Sequence, residues 1–149
     1  MVFDREIIEA KIALDLIPAG DMPAIAQDAL EAGLDGRAIV RLATLENPTY
    51  FQVAEVLPQA MAEMGLQKMN VGQAARILAG RWAKEILNDG KDPLLYRKQF
   101  EWLWIKSDYA GEIQSVGNLD DEVWIAESMG QTQAQIRGWV TERLRALSV

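Results

Sequence analysis

A chain of 149 residues, half of them apolar and a quarter charged, is long enough to bury a core, and that balance argues against disorder. It contains neither cysteine nor histidine, which excludes disulfides, thiolate nucleophiles, histidine-based triads and the common zinc and iron sites. A formal charge of −7 repels phosphate, so non-specific nucleic-acid binding is a poor fit.

The charge is unevenly spread. Residues 1–67 hold four Lys/Arg against eleven Asp/Glu, residues 68–106 eight against four, and residues 107–149 three against seven. Such a chain suits a basic protein partner, although solvated faces account for any single charge. No apolar run approaches the roughly 20 residues needed to span a bilayer. The opening residues carry Asp4 and Glu6 where a signal peptide needs a basic start. A cytoplasmic location is expected.

Every informative segment has helical period, and none alternates like a strand. The expected fold is all-α, a single domain over residues 1–149 made of one bundle of about seven helices. Asp4 caps a first helix running to about Ile17, with Ile8, Ile12 and Leu16 four apart, ended by Pro18. Asp21 and Pro23 open a second helix that Gly33 closes with a left-handed residue. Asp35 begins a short third. Asn47 and Pro48 repeat the cap-then-proline signal for a fourth helix ending at Gly65, where Pro58 predicts a kink or a break into two shorter helices. Asn70, with Gln73 three residues on, resembles a capping box for a helix over residues 71–88. Its stripe is Val71, Ala75, Leu78, Trp82 and Ile86, with Arg76, Gly80 and Lys84 behind; close packing of a neighbour explains the glycine.

The aromatic stretch over residues 92–109 is expected to anchor the fold. Asp92 caps it and Pro93 takes the first helical position. At about 100° per residue, Leu95, Tyr96, Phe100, Trp102, Leu103 and Trp104 cover more than half the circumference, which predicts a surrounded helix. Trp102 and Trp104 lie about 200° apart, so they cannot share one shallow pocket. Any exposed tryptophan is the best interface anchor. Two more helices follow, one opened by Asp120, Asp121 and Glu122 at its positive dipole end, the other from about Thr132 to Leu147.

No phosphate-binding loop, dinucleotide fingerprint or calcium loop is present. Asp120, Asp121 and Glu122 could in principle hold magnesium, but adjacent carboxylates diverge and a dipole role explains them, so no metal and no cofactor is expected. The sharpest motif lies at residues 125–140, where Ala126, Gly130 and Ile136 fall at crossing, turn and locking positions, with Ile125, Met129 and Trp139 as further packing residues. This stretch resembles the helix-turn-helix of DNA-binding regulators. The resemblance implies groove-facing roles for Thr132, Gln133, Gln135 and Arg137, with the recognition element reaching residue 145. It departs from the pattern at Gln131, at Gly138 and in the four carboxylates of the preceding helix.

The segments Gln27-Asp-Ala-Leu-Glu-Ala-Gly33 and Leu87-Asn-Asp-Gly-Lys-Asp-Pro93 give the chain a resemblance to small, acidic, helical proteins common in bacteria, which implies no activity. In size, charge and helicity it is also similar to immunity proteins that neutralise basic nuclease toxins. The leading expectation is therefore a non-catalytic, immunity- or antitoxin-like module that meets a basic protein through Asp108, Glu112, Asp120, Asp121, Glu122 and Glu127, with residues 1–67 as a rival acidic surface. The alternative is a DNA-binding regulator. An enzyme would have to work with convergent, desolvated carboxylates.

Overall fold

Helix ends set the path of this chain. The structure, a computed structural model, describes residues 3–149. It is all-α, with no strand among the described residues. Those residues form eight helices of seven residues or more and one single turn, close to the expected seven. They divide into two compact units, Met1–Met69 and Asn70–Val149.

The first unit holds α1 (Arg5–Ala13), α2 (Met22–Glu31), α3 (Arg37–Ala43) and α4 (Tyr50–Met64). The α1 helix stops four residues short of Ile17. Asp15 adopts the left-handed conformation (φ 54°), and the Leu16 amide closes back onto the Lys11 carbonyl at 2.8 Å. Aspartate tolerates that region because its short polar side chain can bond locally. Gly33–Leu34 and Gly65–Leu66 end α2 and α4 in the same way, with the leucine amides bonded to Ala29 and Met61. In all three an apolar residue follows the left-handed one, the usual companion of this ending.

The cap of α4 is Thr49, two residues beyond the Asn47 expected. Thr49 and Gln52 form a reciprocal capping box. Asn47 instead takes a left-handed turn conformation (φ 43°). Pro58 does not split the helix, which runs unbroken from Tyr50 to Met64. The Ala54 carbonyl that loses its donor belongs to an exposed residue, where water can serve it.

The α3 helix is only seven residues long and has no side-chain cap of its own, so it is too short to be stable alone. Its neighbours finish both ends. Glu63 of α4 accepts from the Ile39 amide at 2.9 Å, and Gln27 of α2 donates to the Ala43 carbonyl at 3.2 Å. Gly36 makes room for this, because a Cβ there would overlap the Glu63 carboxylate. The core of the unit is aliphatic: Ile39, Leu42, Ala60 and Met64 are essentially inaccessible, with Ala26, Ala29, Val53 and Val56 around them.

The second unit begins where Asn70 accepts from the Gln73 amide to start α5 (Val71–Asn88). Its buried stripe is wider than expected, since Ala74, Ala79 and Ala83 join Ala75, Leu78 and Ile86, while Val71 is exposed. Gly80 does admit a close neighbour. A Cβ there would stand 2.8 Å from the Leu147 carbonyl oxygen at the end of α9 (Gln133–Leu147). Arg76, one turn away, donates to the Leu147 and Ala146 carbonyls at 2.5 and 3.3 Å. A cation at a helix C-terminus fits its dipole and fills acceptors that lack intrahelical donors.

Asp92 caps as expected, accepting from Leu94 at 3.1 Å, but Pro93 opens a 3₁₀ turn (Pro93–Tyr96) before α6 (Arg97–Lys106) begins. The expectation that α6 is surrounded is overturned. Phe100 and Leu103 are inaccessible, but Leu95 is exposed and Trp102 is 51 % exposed. Trp104 is held on the opposite side. Its indole N–H donates to the Ala110 carbonyl at 3.2 Å, Tyr109 meets it edge-on, and Gly117 stands so close that a Cβ there would overlap the Trp104 side chain. A further 3₁₀ turn (Gly111–Ile113), the single turn α7 (Gln114–Gly117) and α8 (Leu119–Ser128) lead to α9. The α5, α6, α8 and α9 helices converge on Leu78, Phe100, Leu103, Val123, Ile136 and Leu144.

Candidate functional site

The three carboxylates expected in the first turn of α8 are there, and they point to different tasks. Asp120 reaches Lys98 at 2.7 Å and Arg97 at 3.8 Å, binding α8 to α6. The carboxylate holds the Lys98 ammonium above its ordinary range, first through the hydrogen bond and then through its charge. Glu122 pairs with Arg143 of α9. Glu112 lies over Gly72 in the first turn of α5, where a carboxylate suits the helix dipole. Three of the six acidic candidates are thus used in holding their own unit together. Asp108, in a left-handed turn, and Asp121 are exposed, and among the described residues no ion pair engages either of them. Glu127 is exposed as well and accepts from Gln133 at 3.3 Å.

Sequence reasoning missed the apolar half of this surface. Trp124 is 69 % exposed, Ile125 50 % and Met129 77 %. On a helix wheel these three fall within about 140° of one another, with Asp121 and Ser128 between them and Glu127 at the edge. The opposite side of α8, Leu119, Val123 and Ala126, is buried. The helix is apolar on two sides, and only one can face its own core. A wheel drawn for these ten residues alone would have shown both arcs.

The helix-turn-helix resemblance can now be placed residue by residue. The α8 and α9 helices are joined through Gly130 in the left-handed conformation (φ 86°), and Ala126, Ile136 and Val140 lock the pair. Thr132, Gln133, Gln135 and Arg137 are all exposed, and all are already bonded. Thr132 and Gln135 form the capping box of α9. Gln133 donates to Glu127. Arg137 grips Asp92 through two parallel hydrogen bonds of 3.2 Å. Gln131, out of place for the motif, accepts from the Trp139 indole at 2.9 Å, and Arg143 stacks over that ring.

Arg137 lowers the Asp92 carboxyl below its ordinary range, mainly through the hydrogen bond; desolvation opposes this, and the Leu94 amide adds to it. A carboxyl depressed in the folded state stabilises the fold above its unfolded pKa, and that stabilisation is lost as pH falls through the folded value. Titrating the protein from neutral to below about pH 4 should therefore remove this contribution. Asp92→Asn is expected to lower stability at neutral pH and to flatten the acid limb of a stability–pH curve. An unchanged limb would contradict the assignment.

Gly138 lies on the exposed side of α9, and a Cβ there would meet nothing within 4 Å. Gly138→Ala is expected to stabilise the protein by roughly 0.5–1 kcal/mol, read as a higher denaturation midpoint.

Among the described residues no group of Asp or Glu is arranged to hold a metal ion, and no helix is long and apolar enough to cross a membrane. No family model matches the chain, and neither a curated protein nor a solved structure matches it.

Proposed function

We propose that this chain is a non-catalytic protein-interaction module that meets a basic protein partner, as immunity and antitoxin proteins do, and that the outer face of α8 is its contact surface. The observation that carries the reading is the exposed Trp124, flanked by Ile125 and Met129 and bordered by Asp121 and Glu127. Tryptophan is enriched among interface hot spots because it removes a large apolar area from water at little conformational cost. The exposed Asp121 would then select for Lys or Arg opposite, and would act mainly on association rate and register. A cytoplasmic location in a bacterial cell goes with this reading.

The test is capture of a partner from the native cell, followed by affinity measurements on the purified pair. Trp124→Ala, at an exposed position, is expected to weaken binding by about 2 kcal/mol, roughly thirtyfold in Kd. Asp121→Lys should slow association, and raising salt from about 0.05 M to about 0.5 M should weaken binding by screening. Affinity unchanged by both substitutions would remove the reading. Sequence-specific DNA binding through α9 ranks second. Arg137 would have to leave Asp92 before reaching a base, and Asn70–Val149 holds ten Lys/Arg against eleven Asp/Glu.

A further inference from the structure

The acidity of the chain resides almost wholly in Met1–Met69, which holds five Lys/Arg against eleven Asp/Glu. There α1, α2 and the segment joining them border an open-mouthed groove of about 420 Å³, with Ile7, Leu16, Ile17 and Ile25 on its apolar side. Ile17 and Ile25 are half-buried and pack on the core of the unit, so this lining is fixed in place. Asp21 and Asp28 line the same groove, and among the described residues neither makes an ion pair. Among the described residues Lys11 is the one cation lining it.

We propose that this groove docks an amphipathic basic helix of a partner protein, with apolar side chains on Ile7, Leu16, Ile17 and Ile25 and Lys or Arg directed at Asp21 and Asp28. An apolar groove read by residues spaced i, i+3, i+4 and i+7 is a recurring mode of helix recognition. The carboxylates set the sign of the ligand. An acidic amphipath or an anionic lipid surface meets repulsion, and a second copy of this chain brings a further net charge of −7 to an acidic rim. A small molecule would leave most of its own surface wet in so open a site, whereas ligand pockets bury the greater part of it. The inference goes beyond the α8 reading and shares no residue with it.

The experiment uses the full chain, labelled with ¹⁵N, and synthetic peptides of about fourteen residues, roughly four helical turns. One peptide carries Leu at helical spacing with Lys elsewhere. A second carries the same Leu with Glu, and a third is a scramble of the first. The expected result is saturable shifts at the amides of Ile7, Leu16, Ile17 and Ile25 with the first peptide alone. The double substitution Asp21→Asn and Asp28→Asn should weaken that binding by roughly tenfold. Ala24→Gln, at an exposed position lining the groove, should obstruct it, while Trp124→Ala should leave it unchanged. The proposal is overturned if the scrambled peptide binds equally or no peptide binds, and equally if affinity is insensitive to the two aspartates. The same amides shifting on concentration of the protein alone would assign the groove to a second copy and overturn it too. Shifts that map to α8 would also overturn it, yet leave the reading of that helix standing.

Discussion

Phe100→Ala is expected to lower stability by about 3–5 kcal/mol, the usual penalty for removing a buried phenyl ring and leaving a cavity only partly closed by relaxation. Phe100 is inaccessible to solvent and stands 6.0 Å, ring to ring, from Trp82. The vacated space would therefore open beside an indole. All five tryptophans lie in Asn70–Val149 and none in Met1–Met69, so intrinsic fluorescence reports on the second unit alone. In this variant the tryptophan transition should move to lower denaturant and precede the loss of helical circular dichroism. Stability unchanged to within about 1 kcal/mol would show that the ring is not packed as described.

Leu42→Ala is the complementary case. Leu42 is inaccessible at the centre of the first unit, and its truncation should cost about 2–5 kcal/mol. Here the ellipticity should fall first while the tryptophan signal holds, because the damaged core contains no indole. Non-coincident probes are the standard sign that unfolding is not all-or-none. Coincident transitions in both variants would instead mean that residues 1–149 unfold as the single cooperative domain that the sequence suggests.

Local chemistry was readable in this chain wherever it depended on a few neighbouring residues. Asp4, Asn70 and Asp92 cap helices as their spacing implies, and Gly33, Gly65 and Gly130 take the left-handed endings. The errors arose where two local signals competed. Thr49 outbid Asn47 because Gln52 could answer it across three residues, and Asp15 ended α1 before Pro18 was reached. Tertiary questions were less legible. Counting apolar residues around α6 could not tell that Trp102 is left uncovered while Trp104 is enclosed by Ala110, Tyr109 and Gly117. The acidic candidates were found by composition. Their pairing was not, because Lys98 and Arg143 stand 22 and 21 positions from Asp120 and Glu122. Ile125 and Met129 read as packing residues because helical periodicity marks apolar faces without saying which of them find a neighbour.

The borrowed ends of α3 bear on the order of assembly. Seven residues cannot nucleate a lasting helix, and the Ile39 amide gains its acceptor only when the Glu63 carboxylate of α4 arrives. Gln27 of α2 must reach the Ala43 carbonyl as well. This segment therefore becomes helical last among its neighbours, and protection of the Ile39 amide against hydrogen exchange records whether α4 has docked.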